Sequence, residues 1–323
     1  MNYKVSHRTK LVECEIDLPS SKSISNRLLI IKALCEEDFT ITNLSDSDDT
    51  KSLQKALNST DKIIDVGAAG TSFRFLTSYL STLVGKEFNL TGSNRMKERP
   101  IQQLVDVLRK MGSQIEYLEK EGLPPLKILG TELKGGEIEI DAAVSSQFIS
   151  SILLISPTLE KGITINILGN IVSKPYIKMT LILMEEFGIS HSWNGNKIEI
   201  KPQKYIAKNC SVETDWSASS FWFQIASLSE NCKITLNGLS KSSIQGDKKV
   251  MDLYKELGVN TEFKNNALIL TKNTNSSFPY KIDLLDNPDL YQPLKCSFFA
   301  KNLNTQFLGL QTLKNKETNR IDA

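Results

Sequence analysis

Six short segments of this chain carry side chains that could do chemistry, and nearly all of that chemistry concerns anions. In Lys22-Ser23-Ile24-Ser25-Asn26-Arg27 a lysine offers a point charge, and an arginine about one helical turn on offers a fork matched to phosphate or carboxylate oxygens. Gly67-Ala68-Ala69-Gly70-Thr71-Ser72 places small residues ahead of an apolar run, where backbone can come close to a ligand. No lysine follows its second glycine, so it is not the GxxxxGK[ST] phosphate loop. Arg95, Lys97 and Arg99 crowd the turn before Pro100. Ser145, Ser146 and Gln147, then Ser173 and Tyr176, can wrap a phosphate or polyol without adding charge. Asp289 and Glu317 are carboxylates able to move protons, and Lys316 and Arg320 are cations able to restrain an anionic substrate.

Each segment alone also fits a plainer reading, as a helix cap, a turn or a solvated charge run. The elements that would position them make the anion reading stronger. Apolar helices are expected over 25–34, 71–83, 146–155 and 217–228, and three of them open in Ser/Thr-rich stretches with a basic residue or glycine close by. Free N–H groups at a helix start favour anions. A weak repeat runs through the chain: Leu104–Gly112, Leu181–Gly188 and Met251–Gly258 each read as a helix closed by glycine. Short strands follow over 113–117, 189–193 and 259–263, with hairpin partners over 197–200 and 267–270. The glycines recur 76 and 70 residues apart, which suggests a recurring supersecondary unit in an α/β fold.

Composition narrows the class. The 323 residues suffice for one large or two ordinary domains, with 40% hydrophobic and 24% charged content typical of soluble proteins. No apolar run is long enough to span a bilayer, and Met1–Lys4 lacks a signal-peptide core, so a cytoplasmic protein with no membrane partner is expected. A net charge of +2 creates no global field for nucleic acid. The five scattered cysteines are expected to be reduced thiols, and with two histidines a metal site is not expected.

The ordered set KSxSNR, AGTxxR, GxxRMKERP, SSQF, SKPY, VExDxSxxS, QGD, PD and KETxR resembles the 5-enolpyruvylshikimate-3-phosphate synthase family along essentially the whole chain. The resemblance implies two inside-out α/β barrels built from βαβαββ units, a first domain over 20–213 and a second over 1–19 with 214–323. It implies transfer of the enolpyruvyl group of phosphoenolpyruvate to the 5-hydroxyl of shikimate 3-phosphate, by a monomer without cofactor. Carried over by motif, Lys22, Ser23, Arg27, Ser145, Ser146, Gln147, Ser173, Tyr176, Asp289 and Lys316 would meet shikimate 3-phosphate. Lys22, Gly70, Arg95, Gln147 and Arg320 would hold phosphoenolpyruvate. Lys22, Asp289 and Glu317 would be catalytic. Ala68 stands where the family often has asparagine, Phe75 where it often has proline, and Thr312 where it often has asparagine. The family continues for about 80–100 residues past KETxR, with further phosphoenolpyruvate ligands. The second domain is therefore expected to lack its third repeat and to expose apolar helix faces, and the 323 residues alone are expected to turn over little. Two alternatives stand beside this: a fragment that only binds shikimate 3-phosphate, and the sister transferase acting on UDP-N-acetylglucosamine, whose first motif typically has Lys-Asn where this chain has Lys22-Ser23.

Overall fold

The three glycines expected to stop helices do so in the left-handed region, with φ of 106° at Gly112, 85° at Gly188 and 80° at Gly258. Behind Gly112 and Gly188 the next amide reaches back to close the last turn, Ser113 N to Leu108 O and Ile189 N to Met184 O, both 3.0 Å. The structure, a computed structural model, describes residues 7, 9–141, 145–273 and 279–322. Residues 1–6 of the expected second domain lie outside those described. The chain forms two units, Lys22–Val212 with Leu310–Ala323, and Met1–Ser21 with Glu213–Gly309.

Strand β1 (Leu11–Asp17) belongs to the smaller unit, and the chain then enters the larger one through α1 (Lys22–Leu34), β2 (Ile41–Thr42) and α2 (Asp48–Asn58). A full repeat follows: β3 (Ile63–Asp65), α3 (Gly70–Ser81), β4 (Glu87–Thr91), α4 (Asn94–Lys97), α5 (Gln102–Lys110), β5 (Gln114–Tyr117) and β6 (Leu126–Leu129). Its sheet runs β3-β4-β6-β5, with β3 and β4 parallel and the remaining pairs antiparallel. The next repeat has the same order and directions: β7 (Gly136–Asp141), α6 (Ser146–Ile155), β8 (Ile163–Leu168), α7 (Lys174–Glu186), β9 (Ser192–Asn194) and β10 (Lys197–Ile200), arranged β7-β8-β10-β9. Strand β11 (Cys210–Ser211) pairs parallel with β2 and ends the larger unit's central stretch.

In the smaller unit β1 supplies the first strand of a third copy. It lies parallel to β12 (Asn231–Asn237), between α8 (Trp216–Leu228) and α9 (Val250–Glu256), and the sheet β1-β12-β14-β13 is completed by β13 (Val259–Lys264) and β14 (Ala267–Lys272). A βαβ piece, β15 (Lys281–Asp283), α10 (Tyr291–Ala300) and β16 (Gln306–Leu308), follows with its strands parallel. One outer face of α8 is open, leaving Phe221, Ile225 and Leu228 exposed, and Phe299 on α10 is 83% exposed.

Strand burial alternates, as in β7 and β8, which fits sheets covered on one face. Helices α3 and α6 are buried nearly all round, including their hydroxyls. Buried hydroxyls pair across helices, Ser78 of α3 with Ser151 of α6 and Thr180 of α7 with Ser150 of α6, each at 2.9 Å. Helix α5 packs Leu104, Val105 and Leu108 with no exposure, each side chain contributing about 1.5–3 kcal/mol.

The segment Leu310–Ala323 was expected with the second domain, but it groups with the larger unit. The reason is local: Arg95 donates to the carbonyl oxygens of Lys314 and Lys316, both at 3.3 Å, and Glu317 lies 4.0 Å from Arg99.

Candidate functional site

The first turns of four helices in the larger unit meet. Lys22 opens α1, and its Nζ lies 3.9 Å from Oδ2 of Asp49 in the first turn of α2. Asp49 Oδ1 accepts from the Thr71 amide in the first turn of α3 at 3.4 Å, and Ser72 Oγ donates to the Asp49 carbonyl at 2.7 Å. Gln147, at the start of α6, donates through Nε2 to Thr71 Oγ1 at 3.2 Å. Ser145 caps α6 by accepting from the Gln147 amide, and Ser146 beside it is buried. Convergent helix N-termini concentrate free N–H donors and positive dipole ends, and here one of them already holds a carboxylate.

Arginines complete the cluster. Arg99 is buried, and its guanidinium lies against the α-carbon of Gly70: a Cβ there would stand 2.2 Å from Nη1 and 2.5 Å from Nη2. A side chain at position 70 would have to displace that guanidinium, whereas the helical backbone there accepts any residue. Arg95 pairs with Glu98 at 2.8 Å while its other amino group holds Lys314 and Lys316. Arg320 Nη2 reaches Glu317 Oε2 at 3.1 Å. Arg74, 4% exposed, donates to the Gly70 carbonyl at 2.9 Å, and its Nε is buried without a hydrogen-bond partner among the described residues. Burial and the Arg99 charge push Arg74 down to about 9, against the pull of Glu317 and Asp49. Burial also raises the Glu317 carboxyl, but its own backbone amide and the charges of Arg320, Arg99 and Lys22 outweigh it and hold it below the usual carboxylate range. Glu317 is thus an ionised carboxylate at neutral pH, held so by the charges around it.

Arg27 is 2% exposed and spends its donors on protein: Thr180 Oγ1 (2.7 Å), Ser23 O (2.7 Å), Ser150 Oγ (3.2 Å) and Tyr176 O (3.2 Å). Phe75 lies under its guanidinium, 5.5 Å from the ring centre. In this structure Arg27 ties α1 to α6 and α7 and so places Ser23 and Tyr176. Ser173, buried with φ 56°, is the residue from which α7 starts.

Asp289 lies in the smaller unit, on the turn Pro288–Leu290, and its charge acts on the buried carboxyl of Asp247. Asp247 is 3% exposed and accepts from Ser217 Oγ at 2.6 Å and Asn287 Nδ2 at 3.1 Å. Asp215 caps α8, accepting from the amides of Ser217 and Ala218.

Of the sequence-predicted residues, Lys22, Gly70, Arg95, Gln147, Lys316, Glu317 and Arg320 are joined through this network, with Ser145 and Ser146 at its α6 end. Ser23, Arg27, Ser173 and Tyr176 gather around the start of α7. Asp289 stands in its own carboxylate group. Sequence reasoning assigned no role to Asp49, Arg74, Arg99 or Asp247. Arg99 was visible as the third cation of RMKER. Asp49, in Ser47-Asp48-Asp49-Thr50, carried no signal beyond that of a helix cap.

A separate cavity of about 440 Å³ lies along the outer side of α7, lined by Lys174, Lys178, Leu181, Glu185, His191 and Trp193 among others. Lys174 Nζ sits 5.0 Å from the Trp193 ring centre, covering that ring.

Comparison with known proteins gives one consistent result. The profile of the family described as EPSP synthase (3-phosphoshikimate 1-carboxyvinyltransferase) matches residues 7–60 and 53–323. The chain is 46% identical to a Bacteroides fragilis (strain YCH46) protein named 3-phosphoshikimate 1-carboxyvinyltransferase, covering 100% of this chain and 78% of that protein. It is 36% identical to the protein of that name from Aliivibrio salmonicida (strain LFI1238), covering 97% and 79%. A solved EPSP synthase from Acinetobacter baumannii shares the fold, with a TM-score of 0.72 at 22% identity over 96% of this chain and 76% of the other.

Proposed function

This chain belongs to the EPSP synthase family, and we propose that it transfers the enolpyruvyl group of phosphoenolpyruvate to the 5-hydroxyl of shikimate 3-phosphate with release of phosphate. The observation that carries the reading is the convergence of Lys22, Arg95, Arg99 and Arg320 on the first turns of α1, α2, α3 and α6. Two phosphorylated acids need that concentration of cations and free amides, whereas the net charge of +2 offers no broad field for nucleic acid. We assign the substrates to small-molecule chemistry in the cytoplasm, by a monomer. No helix among the described residues is long and apolar enough to cross a membrane.

In this reading Lys22, Ser23, Ser145, Ser146, Gln147, Ser173, Tyr176 and Lys316 bind shikimate 3-phosphate, and Arg27 acts by holding Ser23 and Tyr176 in place. Lys22, Gly70, Arg95, Gln147 and Arg320 hold phosphoenolpyruvate, and Arg99 joins them. Asp289 takes the 5-hydroxyl proton as that oxygen attacks C2 of phosphoenolpyruvate. Lys22 and Glu317 handle the proton delivered to C3. The tetrahedral intermediate then expels phosphate as the proton returns from C3. The cations stabilise charge that shifts between carboxylate and phosphate through these steps.

Calorimetric titration of the full-length protein tests the reading. Shikimate 3-phosphate is expected to bind in the micromolar range and shikimate at least tenfold more weakly; equal affinity for the two would contradict an anion-centred site. Substitution Gly70→Ala gives a second check. Its methyl group would displace the buried Arg99 guanidinium, at a cost of about 1–3 kcal/mol. The expected result is a KM for phosphoenolpyruvate raised about tenfold with a smaller change for shikimate 3-phosphate, measured by steady-state phosphate release.

A further inference from the structure

Asp247 has no part in the chemistry described above, yet it is among the most enclosed carboxylates of the smaller unit. It sits in the turn Gly246–Lys249, 3% exposed, and binds two other segments at once. Ser217 Oγ, from the second residue of α8, donates to one carboxylate oxygen at 2.6 Å, and Asn287 Nδ2 donates to the other at 3.1 Å. Asn287 is two residues before Asp289 and caps the short turn that carries it. The carboxylate therefore pins the Asp289 turn to the start of α8.

We propose that Asp247 is a positioning residue for the transfer reaction: it fixes the turn bearing Asp289 through Asn287, and its charge makes Asp289 a stronger base toward the 5-hydroxyl. The inference rests on Asp289 being the base, as argued above. A carboxylate beside a second, buried carboxylate gives up its last proton less readily and takes one back more readily, the logic of carboxylate pairs that divide proton work. The charges acting on Asp247 are those of Asp289 and of Asp215, the α8 cap. The cations of its own turn face elsewhere, Lys248 bonded to the Ser243 carbonyl at 2.8 Å and Lys249 to Asp252 at 2.9 Å. Burial first, and then the Asp289 charge, push the Asp247 carboxyl up to about 6, against the hydrogen bonds from Ser217 and Asn287.

The sign of the stability effect follows. A carboxyl whose folded pKa lies above its unfolded value is a burden when ionised: the cost is complete above about 6 and fades as pH falls toward 3.8. Asp247→Asn keeps the shape and can keep both hydrogen bonds, since the serine hydroxyl can turn to accept. In the full-length protein this variant should melt higher than wild type at pH 7.5, with the gain shrinking at pH 4.5. Its kcat should fall, with little change in either KM. The acid limb of its kcat–pH profile should move down by about one pH unit. Asn287→Ala, which cuts the link and leaves the charge, should lower kcat about tenfold with no downward shift of that limb. An unmoved acid limb in Asp247→Asn, or a wild-type kcat in Asn287→Ala, overturns the proposal. Wild-type turnover at pH 7.5, measured alongside, reports separately on the transferase reading itself.

Discussion

Asp289→Asn should lower kcat about 10³-fold while changing the KM for each substrate by less than tenfold. Asparagine matches aspartate in size and can still bond the sugar hydroxyl, so the ground-state complex should survive. What is lost is the group that takes the hydroxyl proton as the carbon–oxygen bond forms. Asp247 should respond as well: with the neighbouring charge gone, its carboxyl should move back toward the ordinary range, because the Asp289 charge is the second-largest influence holding it up, after burial. Steady-state phosphate release by the full-length protein checks the first effect. A kcat within threefold of wild type would remove Asp289 from the role of base.

The second large effect is on stability. Arg27→Ala removes a guanidinium that is 2% exposed and bonded to Thr180, Ser150, Ser23 O and Tyr176 O. Burial lowers the group to about 10, so it is still charged at neutral pH, and its replacement opens a void and strands several acceptors. The expected loss is about 3 kcal/mol, a large share of the 5–15 kcal/mol that typically holds a domain together. Arg27→Lys should recover only part of it, because an ammonium cannot span the same fork of acceptors. Urea unfolding followed by tryptophan fluorescence measures both. A loss under 1 kcal/mol, combined with abolished shikimate 3-phosphate binding, would show that Arg27 serves the ligand rather than the helix packing.

Much of the local architecture could be read from periodicity and punctuation. Helix α6 falls on the expected residues, β10 likewise, and the glycines at 112, 188 and 258 end their helices in the left-handed conformation. Helix α1 begins at Lys22 rather than at Ser25, which puts Lys22 and Ser23 in the first turn, where the dipole favours anions. Helix α2 escaped notice because its polar, Lys- and Asp-rich sequence buries little beyond Thr50, Leu53 and Ala56. Helix α10 carries Pro293 in its first turn, where proline is tolerated, so its apolar residues did not stand out as a helix.

The site was legible as a list of cations and hydroxyls but not as an arrangement. Spacing puts Arg27 about one turn after Lys22. The direction it faces is decided by Ser150 and Thr180, more than 120 residues away, and by Phe75, which replaces the proline common in the family. Asp247 looked like one member of a short motif. Its enclosure comes from Ser217 and Asn287, 30 and 40 residues to either side. Arg99 was one of three basic residues crowding the turn before Pro100, and only the close approach of its guanidinium to Gly70 sets it apart from Lys97.

The central claim is that the chain joins two phosphorylated acids, and phosphorus NMR of the full-length protein with equimolar shikimate 3-phosphate and phosphoenolpyruvate tests it most directly. The account predicts that the phosphoenolpyruvate resonance disappears as inorganic phosphate grows in step with a new sugar-phosphate signal, and that leaving out shikimate 3-phosphate stops the reaction. Unchanged spectra with both acids present, or consumption of phosphoenolpyruvate only when UDP-N-acetylglucosamine is supplied instead, would contradict it.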